Sequence, residues 1–568
     1  MLDLLQRLES AAPERGLYLH EDYRSAPTFI PYTEFPARVA ACAEHLRARG
    51  VQRGTRVILP FETDERVLFS LFGLMEVGAL PLSVKPHLPT TGRQGYRDFL
   101  ERISQRYGAS RILDVPSLKG LELPLERVPL PPAGARVEGA RLRTASEDEL
   151  AFVQFSSGST SFPKGVPITQ RNLVANLGMI VHHDGMTPED RVASWLPLFH
   201  DMGLIGLMTC FYAGSDAYLT QPMSFLMDPM GWLESLSERR ITSSVIPNFA
   251  IDYSLKTLNE LEPEELAHLD LSALRTVHLA SEPINIPNLK RFTEQLAPQG
   301  LRRSAFKPCY GMAEAVLMVT CMGREEDWRV VTGPSGQPAI SVGRPLREFD
   351  VRLRAENGRL CDERELGEIE LRGGSLAPEY FEDERPLRGE EGFYATGDLG
   401  FVQDGELFIT GRIGDRIKIN GQSYFSADFE QAIERLPFIR TGRTAVFQDQ
   451  GRVVVLAEAR HPAVLARRAH SQRQVCAAIL EAVGVTVSQE DVLFIRYGQL
   501  PKTSSGKLQR RAIAEAHARG HIRLATPLGL HADLLKLRAR RLVHGSLRVL
   551  SQGLGRGREA AHARPARG

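Results

Sequence analysis

A recurring alternation of short apolar strands and amphipathic helices constrains this chain more than any other feature. Gly54-Thr55-Arg56-Val57-Ile58-Leu59-Pro60 reads as a turn feeding a short buried strand. Residues 64–77 then place Val67, Leu68, Leu71, Phe72 and Met75 on one helical face, and Gly78 stands where a helix stop is expected. This strand, helix, strand order recurs through the first two-thirds of the chain. It predicts an α/β fold, with a large N-terminal domain over residues 1–411 of mixed, mostly parallel sheets carrying packed helices.

The texture changes near residue 411, where Gly411 and Gly414 mark a junction. Residues 416–420 alternate as a half-buried strand does. Ser426 is positioned to cap a helix with Phe429, Ile433 and Leu436 on one face. The β-rich runs 444–447 and 453–457 flank a turn at Gln450-Gly451, a hairpin signal. Residues 475–483 read as helix and 492–495 as strand. Together these predict a small, mobile α+β C-terminal domain over 412–527. Residues 528–568 form a basic tail. From Lys536 onward it holds nine Lys and Arg against the single acid Glu559, and Leu534, Leu537, Leu542 and Leu550 are interspersed along the tail's first part. Its Gly/Ala/Arg-rich end is expected to be disordered, and a weak contact with a membrane surface or a carrier protein is the alternative.

The 568 residues are 43% hydrophobic and 24% charged, and the net charge of +1 gives no global reason to expect nucleic acid. Six scattered cysteines, with no CxxC pair and no clustered Cys/His spacing, argue against a disulfide framework and against a zinc site. The N-terminal residues lack the pattern of a signal peptide. The most apolar stretch, 203–214, is shorter than the about 20 residues that span a bilayer. A cytoplasmic location is the expectation.

The strongest local signal is Phe155-Ser156-Ser157-Gly158-Ser159-Thr160-Ser161-Phe162-Pro163-Lys164-Gly165. An apolar strand, 150–155, runs into it, and a helix capped by Thr169 and carrying Leu173, Leu177 and Ile180 follows. Small residues let backbone N–H groups approach phosphate oxygens, hydroxyls donate further hydrogen bonds, and a lysine adds positive charge. The Gly-Lys order is not that of a Walker loop.

Here the chain resembles the adenylate-forming superfamily of acyl-CoA synthetases, peptide-synthetase adenylation domains and fatty acyl-AMP ligases. The resemblance makes Ser156, Ser157, Gly158, Ser159, Thr160 and Lys164 an ATP phosphate loop. Ser161 departs from the family, which usually has glycine there. Tyr310-Gly311-Met312-Ala313-Glu314 matches the motif whose tyrosine region packs on adenine and whose glutamate binds Mg²⁺, a cation that favours hard oxygen ligands. Thr396-Gly397-Asp398 matches the motif whose aspartate holds the ribose hydroxyls. Gly411-Arg412-Ile413-Gly414-Asp415 matches the hinge region, with Arg412 implied on ribose or phosphate and Gly414 where the hinge residue is usually Asp or Lys. Pro501-Lys502-Thr503-Ser504-Ser505-Gly506-Lys507 matches the C-terminal motif, which makes Lys507 the lysine that stabilises the adenylation transition state. Taken singly, each of these is an ordinary turn or a solvated side chain; five in family order over residues 156–507 are not.

Leu196-Pro197-Leu198-Phe199-His200-Asp201-Met202-Gly203 looks like the fatty acyl-AMP ligase branch and implies His200 near the acyl carboxylate. Pro222-Met223-Ser224-Phe225-Leu226, Trp232, Pro247-Asn248-Phe249-Ala250 and Ser281-Glu282-Pro283 also resemble that branch. Their apolar character suits an acyl tunnel and suits a core equally. The branch typically carries an insertion after the Tyr-Gly-x-Ala-Glu segment; here only about twenty residues, 321–340, separate Thr320 from Ser341. The resemblance therefore implies ATP- and Mg²⁺-dependent conversion of a carboxylic acid, foremost a fatty acid, to acyl-AMP, with transfer to the phosphopantetheine of an acyl carrier protein. Transfer to CoA is the nearest alternative. A non-catalytic adenylate-binding or scaffold protein is the alternative from another class.

Overall fold

The computed structural model describes residues 1–87, 92–156, 162–334, 336–383, 385–389, 391–419, 422–502 and 508–535. They fall into two compact units, one ending at Ile413 and the other beginning at Gly414. Arg412, which the sequence puts at the head of the small domain, belongs to the first unit, because its guanidinium pairs with Asp398 there.

In the first unit, a six-stranded sheet orders its strands Glu126–Pro129, Arg111–Asp114, Arg56–Pro60, Leu80–Val84, Leu150–Phe155 and Gly165–Thr169. All neighbours are parallel except the last pair. A nine-stranded sheet runs Arg344–Pro345, Met318–Cys321, Phe306–Gly311, Thr276–Ala280, Ser243–Pro247, Arg191–Ser194, Asp216–Thr220, Gly16–His20 and Thr28–Pro31, parallel at its centre and antiparallel at both edges. Helices Phe35–Arg47, Glu65–Val77, Gln170–Asp184 and Asp201–Ala213 share one apolar core with both sheets. At its centre Phe35 meets Tyr32, Phe69 and Phe211 edge-on at 5.0–5.1 Å. A four-stranded antiparallel sheet, Phe349–Arg354, Gly367–Gly373, Tyr394–Gln403 and Glu406–Arg412, completes the unit.

Local signals in the sequence become these elements for identifiable reasons. Asp64 accepts the Arg66 amide and starts helix Glu65–Val77, and Gly78 ends it at φ 82°. Thr169 caps helix Gln170–Asp184, where Asn172 returns the bond in a capping box.

The second unit has its own core and a mixed three-stranded sheet. Strands Ile439–Asp449 and Arg452–Ala459 pair antiparallel through a two-residue turn, Gln450 at φ 47° and Gly451 at φ 80°, the geometry of a type I′ hairpin. Val492–Ile495 adds a parallel strand. The expected cap is corrected: Ser426 is already helical and its hydroxyl donates to the Asp415 carbonyl, while Asp428 reaches back to the Phe425 amide. The unit also extends past 527, since Leu530 is fully buried and Asp533 accepts from Arg496. The basic run 536–568 lies outside the described residues. Among those that are described, no helix is long and apolar enough to cross a membrane. Cys42, Cys210, Cys309 and Cys321 are buried, and Cys361 and Cys476 are half-buried.

Candidate active site

The first unit brings two of the expected residues, Tyr310 and Arg412, onto a third, the buried carboxylate of Asp398. Asp398, on strand Tyr394–Gln403, stands directly opposite Arg412 on the neighbouring strand. Its Oδ1 accepts from Arg412 Nε at 2.7 Å, and its Oδ2 accepts from the Tyr310 hydroxyl at 2.7 Å. Thr396 Oγ1 accepts the Asp398 amide at 3.0 Å, which fixes the carboxylate's backbone. Gly397, at φ 74°, has open space where a Cβ would stand, so the loop presents bare backbone. Burial first, then the Asp398 charge, holds the Tyr310 phenol well above its usual range, so it donates.

Glu314 follows on the tight turn Ala313–Ala315. Gly311, which ends strand Phe306–Gly311 ahead of that turn, admits no side chain, because a Cβ would stand 1.7 Å from the Leu317 carbonyl oxygen. Val316, a β-branched residue, is held at φ 73° and ψ −60°, a strained geometry that fixes the loop just past the carboxylate. Glu314 is buried, and its Oε1 accepts from Tyr380 at 2.8 Å. Burial raises its pKa above the usual carboxylate value, the Tyr380 bond opposes this, and Asp201 adds a further upward push. Lys164 Nζ sits 4.3 Å from the centre of the Tyr380 ring, a cation–π contact. Tyr380 thus links the lysine of the Ser/Gly/Thr loop to Glu314.

The strand entering that loop and the residues leaving it are pinned. The Ser156 amide donates to the Lys164 carbonyl at 2.9 Å, and the Gly165 amide donates to the Tyr107 hydroxyl at 3.1 Å. Ser157, Gly158, Ser159 and Thr160 lie outside the described residues, as does Lys507. Gln154, also buried, donates to the Phe199 carbonyl at 2.7 Å and ties the loop's strand to the 196–200 segment. His200 stands at the N-cap of helix Asp201–Ala213, its ring 4.7 Å from that of Phe199. Of the other branch-like segments, Phe225 stacks on Trp195 at 4.1 Å and meets Trp232 edge-on, and Ala250 is buried in the same cluster. These residues are close-packed core, whereas Met223 and Leu226 are exposed.

Sequence reading does not single out Tyr380, Gln154 or Tyr394, whose hydroxyl lies 3.4 Å from that of Tyr380. They lie in no motif, and only the fold brings them beside residues that do.

The Asp398–Tyr310–Arg412 group and the Glu314–Tyr380–Lys164 group lie in one unit of an α/β chain that is an adenylate-forming ligase. A model of the AMP-binding enzyme family matches residues 21–381, and the chain belongs to that family. A model of the Disco-interacting protein 2-like AMP domain matches residues 414–526. The chain is 31% identical to medium-chain-fatty-acid–acyl-carrier-protein ligase JamA of Moorena producens (strain JHB), covering 90% of this chain and 94% of the relative. It is 27% identical to long-chain-fatty-acid–AMP ligase FadD26 of Mycobacterium tuberculosis (strain ATCC 25618 / H37Rv), over 90% of this chain and 96% of that one. A structure from studies of fatty acyl-adenylate ligases of E. coli and L. pneumophila superposes with a TM-score of 0.83 at 27% identity, covering 92% and 98% of the two chains. The fatty acyl-adenylate ligase of L. pneumophila in complex with acyl adenylate and pyrophosphate gives 0.68 at 25% identity, covering 92% and 95%.

Proposed function

We propose that this chain activates a fatty acid as its acyl-adenylate and hands the acyl group to the phosphopantetheine thiol of an acyl carrier protein. The observation that carries this reading is the Tyr310–Asp398–Arg412 clamp beside the Lys164–Tyr380–Glu314 chain. In the first half-reaction a carboxylate oxygen attacks the α-phosphorus of ATP, the bond to the bridging oxygen breaks and pyrophosphate leaves. In the second, the thiol sulfur attacks the acyl carbon and AMP leaves. Asp398 and Arg412 orient the ribose, the Tyr310 region backs the adenine, Ser156 to Thr160 with Lys164 hold the phosphates, and His200 orients the acid. Lys507 stabilises charge developing at the α-phosphate, an effect worth about 100- to 1000-fold in rate for one such donor. The all-oxygen, anionic donors at Glu314 and Asp201 suit Mg²⁺, which would supply charge neutralisation for the triphosphate.

A CoA-using synthetase is the second reading. It is favoured by the short 321–340 segment, whose described residues include the hairpin of Val330–Thr332 with Pro338–Ile340. The test incubates the enzyme with Mg-ATP and acids of graded length, then adds CoA or a phosphopantetheinylated carrier protein and follows products by mass spectrometry. Acyl-AMP that persists with CoA and is consumed by the carrier supports the proposal. Acyl-CoA formation replaces it with the second reading, and no adenylate from any acid removes both.

A further inference from the structure

The first unit encloses a group of ligating side chains that the proposed adenylation chemistry does not use. His183 and Asp184 close helix Gln170–Asp184, which Gly185 terminates at φ 56°. Cys321 ends strand Met318–Cys321 and lies directly across from Cys309. One ligand atom from each of His183, Asp184 and Cys321 lies within 4.8 Å of the other two. Asp184 and Cys321 are buried, and His183 is half-buried.

We propose that His183, Asp184 and Cys321 form a binding site for a divalent transition-metal cation of zinc type. Imidazole, carboxylate and thiolate are the three ligand classes that zinc takes, and a thiolate excludes the hard cations magnesium and calcium. With bonds of about 2.0–2.3 Å a tetrahedral zinc holds its ligands roughly 3.3–3.8 Å apart, so the cluster closes by side-chain rotation of about an ångström. One carboxylate and one thiolate neutralise a divalent ion, so the buried centre carries no net charge.

The surroundings are those of a metal site's outer shell. His183 Nε2 lies 3.0 Å from the Met322 carbonyl oxygen. In the tautomer that donates this bond, Nδ1 is left as a ligand, the arrangement that orients metal-bound histidines. His278, buried on strand Thr276–Ala280, lies 3.2 Å from Asp184 Oδ1 and orients the carboxylate. The same His278 nitrogen lies 3.2 Å from Asp184 Oδ2, so it holds both carboxylate oxygens in place. Cys321 is within hydrogen-bonding reach of His183, His278 and Cys309. The nearby Lys307 ammonium is engaged by the carbonyls of Gly323 and Glu326 at 2.8 and 2.7 Å.

The test titrates the full chain, purified without chelator, with Co²⁺ and reads its absorption, then displaces cobalt with Zn²⁺ and measures bound metal by elemental analysis. The expected result is about one metal per chain, with the thiolate-to-cobalt charge-transfer band and intense visible bands of a tetrahedral centre. Cys321→Ser removes the charge-transfer band, and His278→Ala weakens zinc binding about 10- to 100-fold. Should Cys321→Ser fail to fold, His183→Ala, at the half-buried rim, is read by zinc stoichiometry and is expected to lose the metal. A wild-type chain that takes up no stoichiometric metal overturns the proposal, as does a charge-transfer band that survives Cys321→Ser.

Discussion

Asp398 divides its two oxygens between a phenol and a guanidinium, which fix its orientation for the ribose role proposed above. Hydrogen bonds to a charged group are worth about 1.5–3 kcal/mol each. Asp398→Ala is therefore expected to raise the KM for ATP by about 10- to 100-fold in a pyrophosphate-release assay, with the fold retained by circular dichroism. An unchanged KM would falsify the ribose role. The residues of this site that were legible in the sequence are those set in dense local motifs, such as Glu314 after Tyr310-Gly311 or Asp398 after Thr396-Gly397. Tyr380 was not legible. It reaches Glu314 from 66 positions along the chain, inside a stretch with no periodicity and no recognisable spacing. The same reason hid the His183–Asp184–Cys321 group, since a rule based on spacing cannot register a strand placing a thiol beside a helix end 137 residues earlier.

Elements position these residues through a few tight backbone approaches. Helix Asp201–Ala213 begins so close to the preceding loop that a Cβ at Gly203 would stand 2.2 Å from the Pro197 carbonyl oxygen. Gly203→Ala must push the 196–200 segment away, at a cost of about 1–3 kcal/mol. The expected readouts are a lower midpoint in tryptophan-monitored unfolding and a raised KM for the acid. In the second unit, Glu434 ends helix Ser426–Glu434 and accepts the amides of Gly442 and Arg443 at 2.7 and 3.1 Å, holding the irregular start of strand Ile439–Asp449. Burial pushes its carboxyl up to about 7 against the pull of those amides, with Glu430 adding to the rise and Lys502 opposing it. The folded state then binds more protons than the unfolded chain between the ordinary glutamate value and about pH 7. Stability from this group is full on the acid side and is lost as pH rises through that window. Hydrogen exchange over residues 439–449, corrected for intrinsic rates, is expected to quicken from pH 5 to pH 7.5, and Glu434→Gln is expected to flatten the dependence. The helix and hairpin themselves were readable from apolar periodicity and the Gln450-Gly451 turn. The helix start was not, because Ser426 and Asp428 are equally plausible caps until the Asp415 carbonyl claims the serine hydroxyl.

Across the whole molecule, each apolar cluster of the described residues is confined to one unit. Separate cores unfold as separate cooperative blocks. All three tryptophans, Trp195, Trp232 and Trp328, belong to the first unit, so their fluorescence follows that unit alone. Denaturant curves from fluorescence and far-ultraviolet dichroism are expected not to coincide, the dichroism showing an additional phase from the second unit. Superimposable curves would mean that the two units melt as one.

The placement of the thiols has a practical use. Four of the six are sealed in cores, which leaves Cys361 in the first unit and Cys476 in the second. Burial raises both thiols above the ordinary cysteine range, so they react slowly but selectively. The native chain therefore comes with one attachment point for a dye on each side of its boundary. A donor and an acceptor fluorophore placed there would let single molecules be watched as acid, nucleotide and acceptor thiol are added in turn, with no engineered cysteine needed.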